Sequence, residues 1–204
     1  SEMCIRDREY LVRDNGTVIV TGSIDLTGTK LPELPRFGMR MELHQPYENL
    51  TYYGRGPFEN YIDRYSGAFI GRYEDKVENQ FYWYIRPQET GNKTDVRWLT
   101  LLDSGGLGVK ITGLQPISFS ALHFSPEDLD PGLTRKLQHT IDIVPQKNIF
   151  LHVDLKQRGL GGDNSWGMYP HNEYRLLDKK YTYSYMIELV EKGSDKNDYL
   201  NSRK

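Results

Sequence analysis

The chain has 204 residues, and its 26 basic and 28 acidic side chains nearly cancel. A chain of this length can bury a full core, but it has no run of Lys or Arg that would coat a nucleic acid or an anionic membrane surface. Its single cysteine, Cys4, excludes an intrachain disulfide framework and a zinc cluster of thiolates. No stretch approaches the roughly 20 apolar residues that a membrane helix needs, so we expect neither nucleic acid nor membrane as a partner.

Apolar residues alternate with polar ones along most of the chain, which is typical of strands with one buried face. In chain order the alternating runs are Val18–Leu26, Phe37–Leu43, Phe81–Ile85, Leu137–Ile143, Ile149–Leu155 and Tyr181–Leu189. The three glycines at 105, 106 and 108 predict a hairpin turn. The one helical candidate is a single turn at Ser125–Leu129, which Ser125 can cap.

These patterns predict an all-β fold of roughly a dozen strands in two large antiparallel sheets packed face to face. Residues 17–190 form the predicted domain, and no Pro-rich or Gly-rich linker divides it. Residues 1–16 are predicted to be a lead-in from a preceding domain. Residues 191–204 are almost without apolar side chains and are predicted to be a polar tail.

The segment Gly161–Pro170 holds a tryptophan among turn-forming residues. Glycines on both sides of Trp166, and Pro170 beyond it, exclude a helix interior and a central strand, so the indole is predicted to lie on a loop. A rigidly held indole binds flat partners, such as the apolar face of a pyranose or another aromatic ring. The alternative is that Trp166 folds back and covers its own loop.

Two further motifs, Tyr53–Arg64 and Arg86–Trp98, carry many of the remaining polar side chains. Both are predicted to be loop-like, with ion pairs of Asp63 to Arg64 or of Asp95 to neighbouring Arg97. Their side chains either face a sugar or pin the loops together. The sequence leaves both interpretations open.

No catalytic pair and no metal site can be selected from the sequence. Glycoside cleavage needs two carboxyl groups at a defined separation, and several acids qualify equally: Glu59, Asp63, Glu89, Asp95, Asp154 and Asp163. The histidines lack metal-ligand spacing, and most lie in predicted strands: His44, His123, His139, His152 and His171. We therefore expect neither a catalytic residue nor a metal ligand in this chain.

Taken together, the polar motifs resemble a known family. They occur in its order as Gly54-Arg55-Gly56-Pro57 with Glu59-Asn60-Tyr61 and Asp63-Arg64, then Pro87–Asn92 with Asp95–Trp98, then Gly161–Trp166. The combination resembles the C-terminal domain of the large multidomain β-galactosidases of glycoside hydrolase family 2. Leu34–Met39 resembles the entry to that domain, so the resemblance extends from about Thr17 to Val190.

The resemblance implies a galactose mutarotase-like supersandwich. It implies a parent enzyme that hydrolyses terminal, lactose-like β-D-galactosides with retention, using two glutamates of a barrel domain that is missing here. It further implies that Mg²⁺ and a monovalent cation are bound by other domains, and that the intact enzyme is a homo-oligomer. The compartment stays undetermined, and for a bacterial-type enzyme it is the cytoplasm or the periplasm.

The resemblance also implies roles for individual residues. Trp166 matches a tryptophan that reaches from this domain into the active site and stacks on the sugar. Asp163, Asn164 and Ser165 would shape and brace its loop, although many members have a second Asp where this chain has Asn164. Three further residues are candidates for sugar contact or for bracing, namely Glu89, Arg97 and Arg55.

Two other functions remain open at this point. A free-standing aldose 1-epimerase would share the fold, but it needs a His acid and a carboxylate base in one pocket, and the sequence marks no such pair. A noncatalytic carbohydrate-binding module would need only an exposed aromatic surface.

Overall fold

The structure is a computed structural model, and it describes residues 5–44, 46–130, 132, 139–164 and 166–191. Nine antiparallel strands dominate it: β1 Ile5–Val12, β2 Val18–Asp25, β3 Arg36–Leu43, β4 Asn49–Gly56, β5 Phe69–Lys76, β6 Lys93–Leu102, β7 Gly108–Leu122, β8 Ile149–Gln157 and β9 Lys180–Val190. Short 3-10 helices cover Val77–Asn79, Thr140–Asp142 and Asn172–Tyr174. The predicted all-β class is confirmed.

The sandwich is built from one continuous sheet that branches at β7. The main path runs β1-β2-β9-β7-β6-β4-β5, while β8 pairs with both β7 and β3. The first part of β7, Gly108–Gly113, pairs with β9, and its last part, Ser118–Leu122, pairs with β8. The two layers are therefore connected through β7, where the sequence predicted two separate sheets.

A glutamine side chain completes the hydrogen bonding at the branch. Where β7 leaves β9, the Gln115 side chain accepts a hydrogen bond from the Ser184 amide at 3.2 Å and donates one to the Ser184 carbonyl at 3.1 Å. Because an unpaired buried backbone group is costly, this amide replaces the missing strand neighbour.

The core lies between the two layers. In β3, Phe37 and Met39 are 5% and 6% exposed, and the Phe37 ring centroid lies 5.5 Å from that of Tyr183 in β9. Tyr183 donates a hydrogen bond to the Val153 carbonyl of β8 at 2.8 Å. In β2, β3, β8 and β9 the apolar residues of the predicted alternation thus lie on the face that is turned to the core. Leu189 at the end of β9 is an exception, because it is exposed.

The predicted helical turn and hairpin are confirmed. Helix α1, Pro126–Leu129, begins with a capping box in which Ser125 and Asp128 each accept a hydrogen bond from the other's backbone N–H. In the β6–β7 turn the Asp103 side chain accepts hydrogen bonds from two backbone N–H groups, and Gly106 has φ +86°. A positive φ of this size is unfavourable for residues other than glycine.

Two predicted strands are wrong. Phe81–Ile85 has strand-like alternation, but its Tyr82 N–H donates to the Thr90 hydroxyl instead of to a neighbouring strand. Thr140–Asp142 is a 3-10 helix, with Ile141 89% exposed, and Leu137 lies outside the described residues. In both segments the sequence alternates, but the apolar residues do not form one buried face, since Ile85 and Ile141 are 87% and 89% exposed.

The two ends of the chain differ in what is described. β1 pairs along its whole length with β2, so part of the predicted lead-in 1–16 belongs to the same sheet. The predicted tail 191–204 lies almost entirely outside the described residues. In the part of the chain that the structure describes, no helix is long and apolar enough to span a membrane.

Candidate functional site

The Trp166 loop presents its indole to solvent. Trp166 is 91% exposed, and its backbone N–H donates a 2.8 Å hydrogen bond to the Asn164 side chain. Gly167 follows with φ +96°, which turns the chain immediately after the tryptophan. The indole therefore does not fold back over its loop, and its face is open to a partner.

Asp63 of the first polar motif holds the base of this loop. Its carboxylate accepts a hydrogen bond from the Gly161 N–H at 2.7 Å. A Cβ atom on Gly159 would lie 2.8 Å from the Asp63 Cγ, closer than real side chains approach. Glycine at 159 therefore lets the loop approach Asp63, and the expected Asp63–Arg64 ion pair is wrong because this carboxylate binds the loop.

Within the loop, Asp163 pairs with a histidine. Its Oδ1 atom lies 2.9 Å from His171 Nε2, and both side chains are about two-thirds exposed. The hydrogen bond to Asp163 raises the pKa of His171 above its usual value. The side chain that binds the loop backbone at Trp166 is Asn164, while Ser165 lies outside the described residues.

A second anchor stands where the chain leaves the loop. The guanidinium groups of Arg158 and Arg175 lie 5.6 and 4.7 Å from the centre of the Tyr169 ring. Both arginines also form ion pairs with Glu33, whose side chain is 6% exposed. Although burial favours the neutral acid, hydrogen bonds from the two arginines lower the pKa of Glu33 below its usual value.

Glu59 connects the first motif to the second. Its Oε1 accepts hydrogen bonds from Arg64 and Tyr84, and its Oε2 accepts from the Thr90 hydroxyl at 3.0 Å and the Gly91 N–H at 2.8 Å. The carboxylate is 10% exposed and all these partners belong to the protein. Glu59 therefore fixes the loop 77–92 against the segment that also carries Asp63.

Glu89 belongs to a separate polar cluster around Arg36. Arg36 lies 3.3 Å from Glu89 Oε1 and 2.9 Å from Asp154 Oδ2, and it donates a 2.9 Å hydrogen bond to Gln157. His152 Nδ1 stands 3.4 Å from the same guanidinium. Glu89 thus ties its loop to β3 and β8, and it is 31% exposed.

Burial shifts the protonation equilibria of this cluster. The Asp154 side chain is 1% exposed, and burial together with nearby Glu89 raises its pKa to about 7, against the opposing effect of Arg36. Burial and the charges of Arg36 and Arg40 lower the pKa of His152 to about 3. Burial also raises the pKa of Glu89. His152 is therefore a neutral imidazole near pH 7.

Arg55 and Arg97 both contact Asp95, so they belong neither to the Glu89 cluster nor to the Trp166 loop. Arg55 forms an ion pair with the Asp95 carboxylate and lies 4.4 Å from the centre of the Tyr65 ring. Arg97 donates to the Asp95 carbonyl, so the predicted carboxylate pair of Asp95 with Arg97 is wrong. Asp95 itself has φ +53° in the middle of β6. Each motif is therefore only partly a loop. The first motif begins in β4, and the second motif ends in β6.

A cleft of about 450 Å³ opens beside Glu59. Phe58 and Tyr82 line it, and Lys93 stands among its lining residues with 2% of its surface exposed. The Lys93 ammonium donates to the Gln80 side chain at 3.0 Å and to the Gly91 carbonyl at 3.3 Å. Burial lowers the pKa of Lys93 to about 8.

The site residues predicted from sequence thus fall into three groups. Asp163, Asn164 and Trp166 share one loop, Glu89 belongs to the Arg36 cluster, and Arg55 and Arg97 share Asp95. Sequence reasoning missed two anchors, Asp63 and Glu33. The glycines at 159 and 161 were a usable signal for the first, whereas nothing near Glu33 indicates its two arginine partners. Across the described residues, no group of three His, Cys, Asp or Glu side chains could hold a metal ion.

Comparisons with known proteins give a consistent result. A family model described as "Beta galactosidase small chain" matches residues 5–187. The chain is 36% identical over 180 residues to a β-galactosidase of Priestia megaterium and 36% identical over 181 residues to one of Streptococcus thermophilus. In both cases 88% of the chain is covered, but only 17% of the relative. A β-galactosidase of Halalkalibacterium halodurans is 34% identical over 170 residues, which cover 82% of the chain and 16% of that relative.

Proposed function

The chain belongs to the β-galactosidase small-chain family, and from this premise we propose that it completes the sugar-binding site of a β-galactosidase whose other domains carry the catalysis. The substrate is a terminal, lactose-like β-D-galactoside, and hydrolysis proceeds with retention. The chain spans about one sixth of the relatives that it matches, so most of such an enzyme lies outside it.

The observation that carries this proposal is the exposed indole on an anchored loop. An exposed Trp is unfavourable in water, because its large apolar surface stays hydrated. Here the loop is held at its base by Asp63 and beyond it by the Arg158–Tyr169–Arg175 stack, while the indole itself is 91% exposed. Such a loop offers a preorganised aromatic plane, and a galactose ring has an apolar face of matching shape.

In this proposal the chain contributes binding and not bond cleavage. The two glutamates of the retaining mechanism, Mg²⁺ and the monovalent cation belong to other domains of the parent. Of the acids in this chain, Glu59 is occupied by four protein donors, and Asp154 is buried beside Arg36. Neither is free to attack a sugar or to protonate a leaving group.

An aldose 1-epimerase is the weaker candidate. The structure does bring a histidine, His152, near a carboxylate, Glu89, through Arg36. An epimerase needs a histidine that can give up a proton, and the lowered pKa of His152 leaves it neutral near pH 7. A mutarotation assay on galactose distinguishes an epimerase from a β-galactosidase domain. Titration of the chain with galactose and lactose tests the third candidate, a noncatalytic carbohydrate-binding module.

The test is substitution of Trp166 in the intact parent enzyme. Trp166→Ala removes the stacking surface and is expected to weaken sugar binding by on the order of 1–3 kcal/mol, a fivefold to hundredfold rise in KM. Trp166→Phe is expected to restore part of the loss. The melting temperature should change little, because the exposed indole packs against little of its own domain. An unchanged KM in Trp166→Ala would refute the proposed function.

A further inference from the structure

Four large exposed side chains lie in or near the cleft beside Glu59, and we refer to them together as the ridge. We define the ridge as Phe58, Tyr82, Trp83 and Ile85, which are 59%, 58%, 59% and 87% exposed. Phe58 and Tyr82 line the same cleft, and the other two follow Tyr82 in the chain. Their combined exposed area is on the order of 500 Å².

The ridge is rigidly held, so its exposure is not that of a loose loop. The Tyr82 N–H donates to Thr90 at 3.0 Å, and the Tyr84 hydroxyl donates to Glu59. The Tyr84 carbonyl accepts a hydrogen bond from Thr140. The Trp83 ring packs edge-on against Phe81 at 4.8 Å between centroids. An ordered apolar surface of this kind is typical of an interface that a partner covers.

The ridge and the Trp166 loop are fixed to the same short segment. Glu59 accepts the hydrogen bond from Tyr84, which lies between Trp83 and Ile85 of the ridge, and Asp63, four residues later, accepts the one from Gly161. Contact between Tyr61 and Arg64 closes this segment into a tight turn, with backbone hydrogen bonds in both directions. A partner that holds the ridge therefore also determines where Trp166 stands.

We propose that the ridge packs against another domain of the same parent polypeptide and thereby positions Trp166 in the sugar-binding site. This rests on the proposed function for the role of Trp166, but not for the contact itself. The occupant follows from the length of the relatives, because about five-sixths of such an enzyme lies outside this chain. The cleft between Phe58 and Tyr82 receives an apolar or aromatic side chain of that domain.

The contact is tested by thiol labelling of the intact parent enzyme. Ile85→Cys is compared with Leu107→Cys, which lies in the β6–β7 turn at the far end of β6 and is 47% exposed in this chain. Each rate is divided by the rate of the same variant after unfolding. We expect Ile85→Cys to be protected at least tenfold and Leu107→Cys much less. Protection of Ile85→Cys below tenfold would overturn the proposal.

Dilution separates this partner from a second copy of the chain. If the protection of Ile85→Cys disappears when the enzyme is diluted to single subunits, the ridge is a subunit interface and the proposal is wrong. Protection that persists in single subunits supports a domain of the same polypeptide. Amide hydrogen exchange of residues 81–86 in the unsubstituted enzyme gives the same readout without a new thiol.

The positioning effect is tested with the double variant Phe58→Ser/Ile85→Ser in the intact enzyme. We expect KM to rise about fivefold or more, with Leu107→Ser as the unaffected control. In a Trp166→Ala background the same double variant should add little, because its effect passes through Trp166. An equal rise in both backgrounds would overturn the positioning role. If Trp166→Ala alone leaves KM unchanged, the proposed function fails while the labelling still decides the contact.

Discussion

Individual polar side chains define the position of the Trp166 loop. Asp63 accepts the Gly161 N–H, and Asn164 accepts the Trp166 N–H, so two side chains replace the backbone partners that a strand would supply. Such local bonds cost little strain and keep a loop in one conformation. In the proposed role of Trp166, these two bonds would limit the conformational entropy that sugar binding must overcome.

At the residue scale we predict that Asp63→Ala weakens sugar binding in the intact enzyme. The substitution leaves the Gly161 N–H without its acceptor and loosens the loop, which should raise KM by a factor of about five, on the order of 1 kcal/mol. The matched control is Asp103→Ala, which removes similar hydrogen bonds from the β6–β7 turn. Steady-state kinetics of both variants check this, and an equal change in KM for the two would contradict it.

Among the elements, β7 determines the architecture. Its first half belongs to one layer and its second half to the other, and Gln115 supplies the hydrogen bonds that β9 loses at the branch. The outer face of β3 and β8 beyond this branch carries the Arg36 cluster. Gly38 of β3 makes room for it, because a Cβ at that position would lie 1.7 Å from Asp154 Oδ1.

Asp154 and His152, both on β8, should have opposing effects on the pH dependence of the free energy of unfolding. Asp154 has a raised pKa of about 7, so its contribution is present below about pH 4 and is lost as pH rises toward 7. His152 has a lowered pKa of about 3, so its contribution is present above about pH 6.5 and is lost as pH falls toward 3. Between pH 4 and 6.5 the two effects cancel in the wild-type chain.

Single substitutions should expose each effect. Relative to wild type, Asp154→Asn is expected to make the free energy of unfolding rise with pH between 4 and 6.5, and His152→Gln to make it fall. Each slope corresponds to one proton, about 1.4 kcal/mol per pH unit. Denaturant titrations at several pH values measure these slopes. Curves parallel to that of the wild type would show that the two groups do not titrate as described.

At the scale of the whole molecule, the described residues form a single β-sandwich with a buried polar cluster around Arg36. Its most buried acid, Asp154, and the partly buried Glu89 both contact Arg36. A retaining pair needs two carboxyl groups about 5–5.5 Å apart with a sugar between them. Within the described residues, Asp154 and Glu89 are instead held by Arg36, which agrees with the proposal that the chain contributes binding.

At this scale we predict that the purified 204-residue chain does not hydrolyse a chromogenic β-galactoside. The measurement is turnover by the chain and by its Glu89→Gln and Glu59→Gln variants. Turnover that one of these substitutions abolishes would place a catalytic acid in this chain and overturn the assignment. Trace turnover that survives both would indicate a contaminating enzyme.

The sequence by itself determined the fold class and the elements whose patterns are local. Alternation at β3, β8 and β9 follows from a pleated strand with one dry face, and the Ser125 cap and the Asp103–Gly106 turn follow from bonds within a few residues. The same reasoning placed Trp166 on a loop, because glycine and proline act on their own backbone. It failed at Phe81–Ile85, where an alternating segment lies in a loop and is not part of a strand.

Only the tertiary structure decided how these parts meet. That Asp63 holds Gly161, that Arg55 pairs with Asp95, and that Glu89 belongs with Arg36 are contacts between residues tens of positions apart. The branch at β7 could not be predicted from the sequence either. A strand has the same local geometry whichever strand pairs with it, so its sequence does not identify its neighbours. Charge and hydrogen-bonding capacity are readable in a sequence, but partners are chosen by the packing of whole strands, which brings distant segments together.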